Sequence, residues 1–376
     1  MKPASEGEKA RLNETFADLC RIVSPFGHER ACADYVASFL RDLGFDVRED
    51  DAADAAGAEC GNLLARIPAD SDRNVLLCAH LDTVSVDGPI EPVVVDRGWE
   101  NSHDVILGAD NKAAVAVMLE VARRCRTQPP PIGLELLFTV SEENALAGAK
   151  AFDAGRLSSE FGFIFDHATP IGEVVVASPT YYRISAAFHG RAAHAGIRPE
   201  DGRSAISAAA YAVAAMPLGR IDPETTANVG SIEGGVGSTN VVAEHCRLLA
   251  ETRSLDPVKA EQALARIVDA VNDGATQAEC DVDIVCEKMF DGYKTKSSSK
   301  PLAVAEAALR ARGHEPRRIA TGGGSDANAL QAQGFPCVNL ANGTERNHEP
   351  TERVTVAALE EMLDVALVLL EESAAV

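Results

Sequence analysis

Several features that would assign this chain to a particular class of protein are missing from its sequence. No CxxC pair occurs among its nine cysteines, which are scattered singly. They are therefore expected to be buried, reduced thiols and not disulfides or zinc ligands. Lysine and arginine form no cluster that would offset the net charge of −22, which argues against a nucleic-acid partner.

Long uninterrupted hydrophobic runs are missing as well. The residues that follow Met1 lack the apolar stretch of a secretory signal. The most apolar segment, 354–370, is broken by Glu360, Glu361 and Asp364, so we interpret it as an amphipathic helix and not as a membrane span. Together with the unpaired cysteines, these absences predict a cytoplasmic protein that has no membrane partner.

The pattern of hydrophobic segments predicts two domains, as expected for 376 residues. Up to about residue 176, short β-type runs alternate with helical segments such as 144–153, and this pattern resumes after residue 300. Such alternation is typical of an α/β domain with a mostly parallel, helix-covered sheet. The intervening segment predicts an inserted α+β domain of two helices and about four strands. The predicted boundaries are 1–177 and 290–376 for the first domain and 178–289 for the insert.

Acidic residues and histidines stand where several predicted strands end. The strands concerned are 74–79, 134–140 and 161–165, and a further acid precedes a predicted helix. In an open α/β sheet, ligands bind outside the carboxyl ends of the strands. Mixed imidazole and carboxylate donors suit divalent metals, and their number favours two ions that share a carboxylate. The residues concerned are His80, Asp82, Asp110, Glu142, Glu143, Asp166 and His348.

Four sequence blocks resemble the signature motifs of the dinuclear zinc peptidase and aminoacylase family. They are HLDTV at 80–84, GADNKAA at 108–114, SEE at 141–143 and NHEPTE at 347–352. The resemblance covers nearly the whole chain and is strongest for the peptidase T-like, tripeptidase branch. It implies a zinc-exopeptidase fold with an inserted lid and dimerisation domain, and a cofactor of two Zn²⁺ per subunit, with Co²⁺ or Mn²⁺ as alternatives.

The resemblance also implies how the metal ligands divide between the two ions. Asp110 would bridge them, His80 and Asp166 would complete one site, and Glu143 and His348 would complete the other. In relatives, the peptide bond that follows the bridging aspartate is cis, and the same is expected after Asp110.

Two acidic residues of these blocks are expected to act without binding metal. Neighbouring residues on an extended or turning backbone point apart, so Glu142 is not expected to join Glu143 as a ligand. It is better placed as the general base that takes a proton from a metal-bridging water or hydroxide and passes it to the leaving amine. Asp82 lies two residues beyond His80 and is expected to hold the His80 imidazole in its ligating tautomer.

A glycine-rich loop and two residues of the insert match positions that contact substrate in relatives. The loop contributes Gly323, Gly324 and Ser325. Because it opens a helix at the carboxyl edge of the sheet, it can offer backbone N–H groups to a carboxylate or to the backbone of the substrate, and the alternative is a flexible turn. In the insert, Asn240 and Arg253 match substrate-binding positions. Arg253 is suited to grip a carboxylate, and the alternative is a surface ion pair with a neighbouring acid.

A third residue of the insert, His194, follows a predicted strand and is flanked by small residues. In relatives the matching histidine crosses a dimer interface and helps to polarise the scissile carbonyl in the partner's active site. The resemblance therefore implies a homodimer joined through the lid domains. The alternative interpretation of His194 is a surface histidine without a catalytic role.

The sequence therefore predicts a metal-dependent aminopeptidase that hydrolyses short peptides, with tripeptides favoured. Asp166 favours this branch, because the amidohydrolase and glutamate carboxypeptidase branches often carry glutamate there. One alternative is an N-acyl-amino-acid amidohydrolase or a carboxypeptidase with the same metal core. Another is a catalytically inactive binding or scaffold protein, which the presence of every metal ligand and of Glu142 disfavours.

Overall fold

The computed structural model describes residues 2–376, and the chain divides into two compact units. The first unit comprises the chain up to Ala177 and Lys294–Val376, and the second comprises Ser178–Tyr293. The sequence predicted that the second unit ends at residue 289, whereas in the structure it ends at Tyr293. The reason is local, because the backbone N–H of Gly292 donates a 3.0 Å hydrogen bond to Oγ1 of Thr180 and holds this segment in the second unit.

The helices of the described residues begin with Glu6–Arg21, where Ser5 and Glu8 form a capping box. The longest helix of the second unit begins after Asp256, whose carboxylate accepts the first free backbone N–H groups. No helix within residues 2–376 is long and apolar enough to cross a membrane. In chain order the helices are α1 (Glu6–Arg21), α2 (Arg30–Asp42), α3 (Ala53–Ala56), α4 (Ala109–Thr127), α5 (Ala147–Ala151), α6 (Ala205–Ala215), α7 (Pro257–Gln277), α8 (Lys300–Ala311), α9 (Asp326–Ala332) and α10 (Val356–Ala375).

Within residues 2–376 the strands form three sheets. In chain order they are β1 (Asp46–Glu49), β2 (Leu63–Ile67), β3 (Asn74–His80), β4 (Pro92–Val95), β5 (Gly98–Asn101), β6 (Gly133–Thr139), β7 (Gly162–His167), β8 (Glu173–Ser178), β9 (Thr180–His189), β10 (Gly219–Asp222), β11 (Thr225–Gly234), β12 (His245–Ser254), β13 (Asp281–Phe290), β14 (Tyr293–Lys294), β15 (Arg317–Ala320), β16 (Cys337–Ala341), β17 (Thr344–Glu345) and β18 (Arg353–Thr355).

The main sheet has nine strands in the order β1-β2-β6-β3-β7-β16-β8-β14, with β15 paired to β8. The strands at its centre are parallel: β6 pairs with β3, β3 with β7, and β7 with β16, each in the parallel orientation. Every residue of β6 is buried, as expected for a parallel strand covered on both faces. The predicted mostly parallel α/β sheet is thus confirmed, and the carboxyl ends of its central strands lie at one edge.

The second unit is a five-stranded antiparallel sheet in the order β10-β11-β12-β9-β13. Alternate residues of β12 are buried, and they join the apolar residues of α6 and α7 in a core of their own. Packing of one face against two helices explains this alternation. The predicted α+β insert is confirmed, and β10 makes five strands where about four were expected.

Candidate active site

The predicted metal ligands of the first unit meet at the carboxyl edge of the main sheet. His80 is the last residue of β3, and Asp166 lies near the end of β7. Nε2 of His80 is 3.4 Å from Oδ1 of Asp110 and 3.6 Å from Oδ1 of Asp166. The strand ends therefore place one imidazole nitrogen between two carboxylates, and all three side chains are almost completely buried.

A second group lies on the other side of Asp110. Nε2 of His348 is 2.8 Å from Oε1 of Glu143 and 3.5 Å from Oδ2 of Asp110. Asp110 therefore presents one oxygen to His80 and the other to His348. This is the arrangement that a carboxylate shared by two metal ions requires.

The donors in this site fit divalent metal ions. Two sets have ligand atoms that all lie within 4.8 Å of one another, one of His80, Glu142 and Asp166 and one of His80, Asp110 and Glu143. Nε2 of His80 and Oδ1 of Asp110 are buried and have no hydrogen-bond partner among the described residues. Buried polar atoms are rarely left unpaired, and a cation with an imidazole and carboxylate preference would satisfy both.

Protonation of the site is dominated by burial and by contacts between acids and imidazoles. Hydrogen bonds to Asp110 and Glu143 raise the pKa of His348 to about 10, and burial raises the pKa of Asp166 to about 8. Burial, together with the charge of Asp166, raises the pKa of Glu142 well above its ordinary value. Metal ions that bind to this cluster must therefore displace protons from it.

Asp82, expected to orient the His80 imidazole, also binds the backbone of the two glutamates. Nδ1 of His80 is 3.0 Å from the backbone oxygen of Asp82 and 3.4 Å from its Oδ1. The two carboxylate oxygens of Asp82 also accept the backbone N–H groups of Glu142 and Glu143, at 3.0 and 2.9 Å. Asp82 thus lies beside the His80 imidazole and at the same time fixes the backbone that carries the two glutamates.

The turn that carries these glutamates shortens the helix predicted over 144–153. Only Ala147–Ala151 is helical, because Ala145 and Leu146 have positive φ, at 56° and 64°. Residues other than glycine rarely adopt this left-handed conformation. The helix prediction is therefore wrong over its first turn, where the chain instead bends at the edge of the sheet.

Glu352 supports the loop that precedes Asp110, a role that the sequence analysis missed. Its carboxylate accepts hydrogen bonds from the backbone N–H groups of Leu107, Gly108 and Asp110, at 2.9, 2.7 and 2.9 Å. The peptide bond between Asp110 and Asn111 is cis, as the resemblance implied. The signal for Glu352 was its place in the same sequence block as His348.

Two more buried polar residues at this edge were missed. Asn339 lies on β16, accepts the backbone N–H of Asp166 at 3.0 Å and donates to its backbone oxygen at 2.8 Å. Asp326 begins α9, is 1% exposed and accepts a hydrogen bond from Thr139 at the end of β6. A polar residue inside an apolar strand was the only sequence signal for Asn339.

The glycine-rich loop uses part of its own hydrogen-bonding capacity. The backbone N–H of Gly323 donates to Oγ1 of Thr321 at 3.1 Å, and that of Ser325 donates to Oδ1 of Asn328, also at 3.1 Å. Ser325 is buried as the N-cap of α9, whereas Gly323 and Gly324 are partly accessible. The loop therefore lies next to the start of α9 with two of its amides already engaged.

In the second unit, two of the predicted residues lie side by side. His194 forms an isolated β-bridge with Val241, and the backbone N–H of Ala195 donates to the backbone oxygen of Asn240 at 2.9 Å. Both His194 and Asn240 are exposed. The fold thus presents them together on the surface of this unit.

Arg253 makes the ion pair that was considered as an alternative to substrate binding. Its Nε and Nη2 atoms each lie 3.1 Å from an oxygen of Glu251. The guanidinium also lies over the ring of Tyr181, 4.2 Å from its centre. These contacts hold the planar head group in a fixed orientation on the sheet.

Two family models match the chain, one in each of its two units. Residues 180–279 match the family model described as a peptidase dimerisation domain, and residues 62–169 match that of peptidase family M28. The chain is 36% identical over 366 residues to an uncharacterized protein of Bacillus subtilis (strain 168), covering 97% of this chain and 98% of that protein.

Two solved structures resemble the chain over almost their whole length. The aminopeptidase PepT of Bacillus cereus ATCC 10987 is 37% identical, with a TM-score of 0.85 and coverage of 97% of this chain and 98% of that one. A tripeptidase of Staphylococcus aureus subsp. aureus Mu50 is 33% identical, with a TM-score of 0.92 and coverage of 98% and 99%. The similarity therefore includes both units of the chain.

Proposed function

Because this chain belongs to the dinuclear zinc peptidase family and to its peptidase T-like branch, and is thus a metallopeptidase, we propose that it is an aminopeptidase that cleaves short peptides, chiefly tripeptides. The observation that carries this proposal is the position of Asp110 between His80 and His348, with one carboxylate oxygen directed to each. The names of the two similar solved structures support the aminopeptidase and tripeptidase assignment.

We propose that the cofactor is a pair of Zn²⁺ ions, with Co²⁺ and Mn²⁺ suited to the same donors. His80 and Asp166 would hold one ion, Glu143 and His348 the other, and Asp110 both. When bound, the pair would polarise the scissile carbonyl and lower the pKa of the attacking water. The unpaired buried atoms of His80 and Asp110 support this assignment.

In this proposal Glu142 moves the proton. Its carboxylate takes a proton from the attacking water and delivers it to the nitrogen of the leaving amine, so that the peptide bond breaks without releasing an unstable amide anion. Burial and the charge of Asp166 raise the pKa of Glu142 when no metal is bound, which is the direction that favours proton uptake by its carboxylate. Asp82 supports it by binding its backbone N–H.

A comparison of three peptides tests the proposed specificity. We expect a free tripeptide and its C-terminal amide both to release their N-terminal residue, and the N-acetylated tripeptide to be cleaved at least ~100-fold more slowly, since a site that binds a charged amine rejects a blocked one. The measurement is kcat/KM with product identification by mass spectrometry. Faster cleavage of the acetylated peptide would instead indicate an amidohydrolase, and release of the C-terminal residue from the free tripeptide would indicate a carboxypeptidase.

We further propose a homodimer in which His194 serves the partner's active site, with Asn240, Arg253 and the loop residues Gly323, Gly324 and Ser325 contacting the substrate. The match of residues 180–279 to a peptidase dimerisation domain supports the dimer. The exposure of His194 and Asn240 on the second unit is consistent with contacts outside that unit. A dimer of this kind would be isologous, with the same surface used by both subunits.

Mixing two inactive variants tests this assembly. Glu142→Gln and His194→Ala are each expected to be inactive alone, whereas subunit exchange between them should restore about one quarter of the parental activity. Random exchange makes half of the dimers mixed, and each mixed dimer has one complete site of two. Exchange is verified by native mass spectrometry. Verified exchange without recovery would assign His194 to its own subunit or to no catalytic role.

A further inference from the structure

Glu29 is a completely buried acid that the proposed chemistry does not use. It lies just before α2, in the N-terminal part of the first unit, and its side chain has no exposed surface. Oε1 of Glu29 accepts three hydrogen bonds, from the backbone N–H of Gly27 at 2.7 Å, from that of Ser141 at 3.0 Å and from Oγ of Ser141 at 3.1 Å. Two of these three bonds therefore go to the residue that precedes Glu142.

The turn that begins at Ser141 has a conformation that its residue types do not favour. Ser141 has a φ of 50°, which costs free energy for any residue other than glycine and persists only where the surroundings hold it. The next two backbone N–H groups, of Glu142 and Glu143, bind the carboxylate of Asp82. Three consecutive N–H groups of this turn thus bind two buried carboxylates that come from distant parts of the sequence.

We infer that Glu29 is a positioning residue, which fixes the backbone of Ser141 and thereby the direction in which the Glu142 carboxylate leaves the turn. This inference rests on the proposed role of Glu142 as the general base. Asp82 accepts the backbone N–H groups of Glu142 and Glu143, and Glu29 accepts the N–H and Oγ of Ser141 at the start of the same turn. Without Glu29, both the N–H and the Oγ of Ser141 lose their acceptor, and Glu142 is free to rotate away from the position in which it meets the attacking water.

The chain provides a matched control in Glu135, at the opposite end of the strand that leads into this turn. Glu135 lies on β6, is 1% exposed and binds a serine in the same way. Its Oε2 accepts the backbone N–H groups of Ser158 and Ser159, at 2.9 and 2.8 Å, and Oγ of Ser159 at 2.7 Å. Glu135 differs in its other oxygen, because its Oε1 also pairs with Nε of Arg66 at 2.9 Å. Its removal disturbs a buried carboxylate that binds a serine in a similar way, without touching the turn of Glu142.

The test compares Glu29→Ala, Glu29→Gln, Glu29→Asp and Glu135→Ala in the metal-loaded protein. Glu29→Ala is expected to lower kcat ~10–100-fold, the usual effect of losing a residue that orients a group in a metal site, with KM within about threefold. Glu29→Gln keeps an oxygen that accepts the same three bonds and should retain most of the parental kcat. Glu29→Asp keeps the carboxylate but has a side chain one methylene shorter, so its oxygen no longer reaches Ser141 and kcat should fall. Glu135→Ala should lower thermal stability and leave kcat unchanged.

A double variant separates positioning from a general loss of structure. If Glu29 acts through Glu142, Glu29→Ala should have no further effect on kcat when Glu142 is already Gln. Multiplying losses in the double variant, or equal losses of kcat in Glu29→Ala and Glu135→Ala, would overturn the inference. Should Glu29→Ala fail to fold, an active Glu29→Asp beside an inactive Glu29→Gln would overturn it as well. Full activity of Glu142→Gln alone would instead refute the proposed base, so the two failures are distinguishable.

Discussion

Replacing Glu142 with glutamine is expected to lower kcat by ~10²–10⁴-fold, the usual scale for loss of a general base, while both metal ions remain bound. Glutamine has nearly the shape of glutamate, and the backbone N–H of residue 142 can still donate to Asp82. The side-chain amide of glutamine, however, cannot accept a proton at neutral pH. KM should change little, because the substrate is bound by other groups. The measurements are steady-state kinetics and the metal content of the purified variant.

The matched variant for this experiment is Glu143→Gln. Both glutamates lie in the same turn and give their backbone N–H groups to Asp82, but only Glu143 contacts His348. We therefore expect Glu143→Gln to lose metal affinity and to recover activity when metal is added in excess, which Glu142→Gln should not do. Loss of a metal ion from Glu142→Gln would show that Glu142 is a ligand, in agreement with its place in one of the two potential ligand sets.

Replacing Asp110 with asparagine is expected to abolish turnover and to weaken binding of the metal pair by at least ~100-fold. Loss of a residue that only orients a ligand already costs about 10–100-fold in affinity, and Asp110 is itself placed to serve both ions. Asparagine offers a single neutral oxygen where the carboxylate directs one oxygen to His80 and one to His348. The two ions would then lose both their shared ligand and the negative charge that lowers their mutual repulsion.

Zinc titration in a chelator buffer, with activity followed in parallel, measures this effect. Asp104→Asn is the appropriate control, since Asp104 is an exposed acid on the loop that leads into the same helix. It removes one negative charge from the chain segment that precedes Asp110 without removing a proposed ligand, and its metal affinity and activity should equal those of the parent. An Asp110→Asn protein that binds two ions with parental affinity would contradict the bridging role.

Much of the site could be predicted because parallel strands end at one edge of a sheet. His80 and Asp166 stand at the ends of apolar runs, and such runs identify buried parallel strands without any knowledge of their order. The supporting contacts could not be predicted in this way. Glu352 binds the N–H groups before Asp110 across more than 240 residues of sequence, and Asn339 binds Asp166 only because β16 pairs with β7 in this register.

The sequence could not predict the local backbone conformation where residues other than glycine adopt positive φ. The hairpin of β4 and β5 closes with Asp96 and Arg97, which have φ values of 46° and 62°. Two-residue hairpin turns of this kind favour Asn-Gly, Asp-Gly or Gly-Gly. Asp96 fits the first turn position, but Arg97 stands where glycine is usual, so the turn signal in the sequence is incomplete. The same holds for the left-handed Ser141, which is stabilised by Glu29 and not by its own residue type.

The position of His348 after the second unit in the sequence has a consequence for biosynthesis. All strands and helices of the second unit lie between Ser178 and Tyr293, so this unit has its complete sequence before the ribosome reaches His348, the last of the proposed metal ligands. Domains generally fold as units during synthesis. A nascent chain can therefore fold its inserted unit before His348 has been added, and under the proposed ligand assignment the complete metal site forms only after that.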